Sequence, residues 1–303
     1  MDSGTAVPTL DVASTPAQSV YDQVTANAGC NTASDSLQCL RELPYQQFLQ
    51  AQSGVPGIFS YRSLDLSYLP RFDPNDNFFP VSPGVSGSGQ AIAKVPVIIG
   101  DQEDEGPLFS LVLANVSNTD ALVTYLQSYF PMASRDQVAG LVATYPEDPS
   151  AGSPFNTGLL NELYPGFKRN AAILGDLTFT LSRRAVLNAY TTAFPDNGAW
   201  SYLASYFYGT PILGTFHGSD LLVIYENFPL PIPKQTIYNY YISFFNHQDP
   251  NALGTAAPLI EWPQWKESKQ LVNFRALQNT LITDDFRSES YDYIESIADA
   301  LAV

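Results

Sequence analysis

The sequence predicts an α/β fold, and three observations carry that prediction. Val95 to Gly100, "VPVIIG", is apolar and rich in β-branched residues, the composition of a strand covered on both faces. Ala199 to Tyr208, "AWSYLASYFY", is a second central-strand candidate. Helical periodicity fills the chain between them, and strands alternating with helices build a sheet packed between helical layers. Two strands, or three, are few for 303 residues. Either much of the chain is helical decoration, or part of the sheet is missing from it.

Taken in order, "MDSG" reads as a strand exit, and Ser19 to Ala28 as a short helix. Asp35 to Gln52 carries Leu37, Leu40, Phe48 and Leu49 at helical spacing, with Pro44 dividing it into two pieces. Residues 61–80 are aromatic and irregular, with prolines at 70, 74 and 80. Long loops of this kind in compact domains line sites or cap them. "SPGVSGSGQA", from Ser82, is a Gly/Ser turn. Asn118 to Phe130 and Ser134 to Tyr145 read as amphipathic helices, the second opening with the Ser134/Gln137 spacing of a capping box. Phe167 to Tyr190 is one long helical pattern. A helix around Ile237 to Asn246, the segment "EWPQW" and a last helix from Ser290 to Ala300 complete the chain. Without internal repeats or a low-complexity linker, residues 1–303 read as one domain.

Composition narrows the function. Hydrophobic residues make up 45% of the chain, a globular rather than a disordered balance. The net charge of −16 argues against nucleic acid, which needs a basic surface. No apolar run reaches the ~18 residues of a membrane span, and the start has neither the basic nor the apolar region of a secretory signal. Cys30 and Cys39 flank a short polar loop, compatible with a local disulfide or with two free thiols. Asn115-Val116-Ser117 is a glycosylation sequon. Two histidines without nearby cysteines exclude most zinc architectures, and no metal or other cofactor is expected.

The chemistry concentrates at two places. Glu103, Asp104 and Glu105 follow the end of the first strand, where ligands of open α/β sheets gather. Glu105 is the candidate triad acid, with Gly106 after it allowing a tight turn. Asp101, Glu103 and Asp104 are expected to face solvent or cap the next helix. His217 sits on a loop between Gly214 and Gly218, with Ser219 and Asp220 placed to cap a helix from Leu221. His247, at a helix end, is expected to face solvent or cap that end. An acid followed by a histidine is two-thirds of a serine-hydrolase triad in the order nucleophile, acid, histidine. No G-x-S-x-G stretch is present; Gly84 to Ser88 fails at its last position. The nucleophile is therefore expected upstream of residue 1.

At this point the sequence resembles the type-B carboxylesterases and lipases, and among them secreted fungal lipases of the Candida rugosa and Geotrichum type. "MDSG", "AGCNTASDSLQCLR", "SYRSLDLSYLPRFD", "VPVIIGDQEDEG", "YPEDPSAGSPFNTG", "FKRNAAILGDLTF", "GTFHGSD", "WPQW" and "DDFRSESYD" follow in family order along the whole chain. The resemblance implies the C-terminal portion of an α/β-hydrolase fold, extracellular, acting on carboxylic esters or acylglycerols. It implies Glu105 as triad acid, His217 as triad base, Cys30–Cys39 as a disulfide, and Leu64, Leu66, Leu108 and Phe109 along the acyl-chain pocket. It also implies that the family's N-terminal half, with nucleophile and oxyanion glycines, is absent, leaving this part inactive alone and an open apolar sheet edge. A second reading is a non-catalytic binding protein of the same family. A third is a free-standing hydrolase using another serine, such as Ser219.

Overall fold

Val97–Gln102 forms strand β1, and in the computed structural model it runs parallel to β2 (Ala199–Ala204), with Val97 opposite Ala199 and Gln102 opposite Ala204. β2 is buried at every position and β1 at all but its first, which is why both read as apolar runs rather than alternating ones. β3 (Gln270–Phe274) lies parallel to β2, and β4 (Asn279–Thr283) pairs antiparallel with β3, giving the order β1-β2-β3-β4. The β3–β4 pair escapes sequence reading because each strand has five residues and polar side chains break the pattern. Asn273, for example, sits inside β3 and donates to Leu203 O and Ser205 Oγ. The structure describes residues 1–83, 93–226 and 228–303, so the expected Gly/Ser turn falls, beyond Ser82 and Pro83, outside the described residues.

"MDSG" does reach the sheet. Ser3 N donates to Gly100 O and Gly100 N to Met1 O, so the first residues pair along the outer edge of β1. The helices come close to expectation. They are α1 (Thr15–Asn27), α2 (Ser36–Glu42), α3 (Tyr45–Ser53), α4 (Pro107–Ser110), α5 (Thr119–Gln127), α6 (Arg135–Ala143), α7 (Phe167–Gly175), α8 (Leu181–Ala193), α9 (Ser219–Ile224), α10 (Pro231–His247), α11 (Trp265–Ser268) and α12 (Ser288–Ser296). Pro44 separates α2 from α3, and the capping box of Ser134 and Gln137 opens α6. α10 starts six residues earlier than Ile237, because proline is tolerated in a first helical turn. The long pattern from Phe167 is continuous but widens to a π turn at Asp176–Thr180 between α7 and α8. None of the described helices is long and apolar enough to cross a membrane.

Alternation along the strands divides the core. Ile98, Trp200, Tyr202, Val272 and Phe274 face one way, onto Ile237 and Tyr240 of α10 and Trp262. Ile99, Leu203 and Leu271 face the other way, onto Leu187 and Tyr190 of α8 and Trp265 of α11. A third cluster joins Phe109 of α4 to α5, α6 and α7. Asp101 is a correction to the sequence reading. It is buried, accepting from Thr180 Oγ1 at 2.5 Å and Arg183 Nε at 2.9 Å. The strand continues to Gln102, so Asp101 lies inside the sheet rather than past its end.

Candidate active site

Beyond Gln102 the chain turns through Glu103 and Asp104 to Glu105, which is wholly buried. Two donors hold Glu105 Oε1: Gln102 N at 2.7 Å and Ser3 Oγ at 2.5 Å. Its other oxygen, Oε2, lies 2.6 Å from His217 Nδ1, joining residues 112 apart in sequence. Gly106 has an ordinary helical conformation, φ −77°, so no tight turn demands it. The need is for close approach: a Cβ there would lie 1.8 Å from Ala171 O of α7.

The loop carrying His217 is anchored by Asp104, the second correction. Asp104 is buried and accepts from Ser153 Oγ at 2.8 Å, Phe155 N at 2.8 Å and Thr215 N at 3.0 Å. Its own N–H donates to Thr215 O, so the exit of β1 is stitched to the histidine loop. Burial and then the charge of Glu103 push its carboxyl up to about 7 against those donors. Glu103 is half-buried rather than at the surface, accepting from Asn156 Nδ2 at 3.2 Å. Gly214 and Gly218 both take positive φ, +60° and +81°, the freedom that lets this loop present a side chain between them. Helix α9 starts at Ser219, with Gly218 rather than Ser219 at its N-cap.

The imidazole of His217 packs against Phe109 and Phe179, with ring centroids at 5.1 and 4.9 Å. Its side chain keeps 27% exposure. Among the described residues no side chain hydrogen-bonds to Nε2; the pairing is through Nδ1 alone. Burial disfavours the charged ring, but the hydrogen bond and charge of Glu105, then Asp220 and Asp2, outweigh it and raise the pKa. Asp220 is itself pushed up to about 7, by burial first and then by Asp2. Ser219 is buried and its hydroxyl meets Gln102 Oε1 at 3.3 Å, with no bond to the imidazole. His247 ends α10 in an exposed position.

His217 lies on the wall of a cavity of about 330 Å³ whose lining is mostly apolar. Leu64, Leu66 and Phe109 also line it; Leu108 does not. Cys30 and Cys39 are disulfide-bonded. Asn115 is exposed, its Nδ2 donating to Tyr61 Oη at 3.1 Å. No three His, Cys, Asp or Glu side chains among the described residues are grouped to hold a metal ion. Sequence reasoning missed Ser3 and Phe179 as neighbours of the pair. The signal was present for Ser3, in a strand exit ending beside β1; Phe179 gave none, being one aromatic in a helical pattern. A carboxylate holding Nδ1 of an imidazole leaves Nε2 able to accept and return a proton.

Comparison with known proteins gives the family and the fold. Secreted triacylglycerol lipase LIP1 of Gibberella zeae is 52% identical over 305 residues, an alignment covering 100% of this chain and 51% of that protein. Lipase 4 of Diutina rugosa is 40% identical over 300 residues, covering 96% of this chain and 52% of its own. The chain thus spans about half the length of the curated relatives it matches. The crystal structure of Aspergillus niger EstA superposes with a TM-score of 0.81 at 21% identity, over 100% of this chain and 58% of that one, and shares its α/β-hydrolase fold. Residues 1–294 match the profile of the carboxylesterase family, and the chain belongs to that family, among its type-B carboxylesterases and lipases.

Proposed function

We propose that this chain is part of a serine carboxylic-ester hydrolase and supplies two members of its triad, Glu105 as the acid and His217 as the base. The observation that carries the reading is the 2.6 Å contact of Glu105 Oε2 with His217 Nδ1, beside an apolar cavity. With its proton on Nδ1 held by Glu105, the neutral ring offers the Nε2 lone pair to a serine hydroxyl. The serine oxygen attacks the ester carbonyl as its proton passes to Nε2, and Glu105 stabilises the imidazolium. The ring then gives that proton to the departing alkoxide, and water repeats the cycle on the acyl-enzyme.

The nucleophile and the oxyanion donors come, in this proposal, from a segment outside these 303 residues. In support, no serine among the described residues hydrogen-bonds to the ring. Without them the chain alone is inactive. Leu64, Leu66 and Phe109 border the acyl chain of an ester or acylglycerol substrate, a class suggested by the triacylglycerol lipase named above. The Cys30–Cys39 bond and relatives named as secreted lipases support an extracellular setting, with Asn115 as a glycan acceptor.

The test is an assay on a p-nitrophenyl ester. The full-length protein should hydrolyse it and His217→Ala should abolish that activity, while the 303-residue chain should show none above buffer. Hydrolysis by the chain alone that disappears with His217→Ala would put the nucleophile inside it and overturn the division proposed here.

A further inference from the structure

A second apolar hollow, whose walls do not include His217, is a groove of about 870 Å³ between α1, α2, α3 and the segment from Ser67 to Arg71. Each helix turns a stripe into it. α1 gives Ala17, Val20, Tyr21 and Val24, the i, i+3, i+4, i+7 spacing of a single helical face. α2 gives Leu37 and Leu40, and α3 gives Tyr45 and Phe48. The small cluster beneath buries Val24, Cys30, Leu40 and Val55. Val12, Leu37, Tyr45, Phe48 and Tyr68 stay exposed along the groove, a shared apolar surface of the kind that marks a binding site. Leu69 lies on the walls of both this groove and the cavity beside His217, so the two hollows are neighbours.

The charge at this groove is opposite to that of the chain. The protein carries 30 Asp and Glu against 14 Lys and Arg. The described residues that line the groove include two arginines, Arg41 and Arg71, and no acid. Arg71 Nη1 donates to Val303 O at 2.7 Å, and the charge of Asp11 acts on the same guanidinium. Arg41, in the last turn of α2, is exposed and makes no hydrogen bond or ion pair with any described residue. A hydrocarbon tail along the helical stripes and an anionic head beside Arg41 match both features. A neutral lipid matches only the first, and a cationic amphiphile meets like charge. Guanidinium suits a carboxylate in particular, through two parallel N–H···O bonds. We propose that this groove is a second lipid site, separate from the cavity beside His217, and that it takes a long-chain fatty acid with its carboxylate on Arg41. Such an acid is also what hydrolysis of a fatty ester releases, yet its binding here needs only the groove and Arg41.

The experiment is binding, independent of turnover. Full-length protein carries Tyr45→Trp, which turns an exposed aromatic of the groove into a fluorescent reporter. The bromine of ω-bromoundecanoate quenches tryptophan on contact, and this acid should quench saturably the emission that the substitution adds. The matching alcohol, ω-bromoundecanol, should bind about fivefold more weakly, the upper range for one exposed ion pair. Added salt should narrow that difference. Arg41→Gln should bring the acid down to the level of the alcohol and leave the alcohol unchanged, which also shows that the variant folds. Leu37→Glu, at an exposed wall position, should abolish quenching by both with an unchanged circular dichroism spectrum. Equal binding of acid and alcohol, or a preference that survives Arg41→Gln, overturns the carboxylate site. Absence of saturable quenching, or quenching untouched by Leu37→Glu, overturns the groove as a place where lipid binds.

Discussion

Asp284 and Glu105 are both buried carboxylates paired with a cationic or cation-forming side chain, and their surroundings differ in one respect. Asp284 Oδ1 accepts from Arg183 Nη2 and from Arg184, and its Oδ2 from Arg183 Nη1 and Trp265 Nε1. Arg183 spends its remaining donors on Asp101 and Ser201. Both oxygens of Asp284 and all three nitrogens of Arg183 are hydrogen-bonded there, and a guanidinium has no proton to exchange near neutral pH. Glu105 is as well held, but its partner is an imidazole with a second nitrogen that meets no described side chain. The comparison teaches that burial of an acid says little about its use. A saturated network locks the sheet to α8, whereas one nitrogen left over beside a cavity makes a place where a proton can move.

Breaking either pair separates the two roles. The largest effect is expected for His217→Ala in the full-length protein: kcat/KM for an ester falls about 10⁶-fold, while the unfolding free energy falls by about 1–3 kcal/mol, the cost of leaving buried Glu105 Oε2 without its partner. Glu105→Gln, which leaves the shape but mismatches the tautomer, should lower kcat about 10⁴-fold in the same assay. Asp284→Ala should act on stability instead. It strands two buried guanidinium groups and should cost about 3–5 kcal/mol in urea unfolding, with the activity of the remaining folded fraction unchanged.

The smallest effect is a pH dependence. Burial works against the charge of Asp284, but Arg183, Arg184 and the Trp265 donor outweigh it and hold the carboxyl at about 2. A depressed folded value means that the pair's contribution is present above the unfolded carboxylate range and is lost as pH falls through the folded value. About 2.5 kcal/mol should therefore disappear between roughly pH 4 and pH 2. Urea midpoints measured across that interval should decline more steeply in the parent protein than in Asp284→Asn, and parallel declines would remove Asp284 from the account.

How far sequence reading reached differs between backbone and side chains. Val95 to Gly100 showed as a buried strand, and β1 is buried from Ile98 onward. The capping box at Ser134 and the break at Pro44 depend on neighbours within four residues, and both appear. β3 and β4 did not show, because five-residue strands containing Asn273 and Asn279 have no clean period. At the site, Glu105 and His217 stood out through the glycines beside them. Asp101 and Asp104 neither face solvent nor cap the next helix, as the sequence suggests, since an acid past an apparent strand end looks the same whether an arginine or a row of donors waits for it.

The sequence by itself determined the local matters: an apolar strand delivering acids at its end, a histidine between two glycines, helices with their caps, and family motifs in order. Only the tertiary structure decided which acid meets the histidine, that Asp104 staples the histidine loop, and that Ser3 supports Glu105. The physical reason is range. Periodicity and capping arise from hydrogen bonds a few residues apart, whereas the pair at the site joins positions separated by 112 residues and exists only once sheet and loop have closed around it.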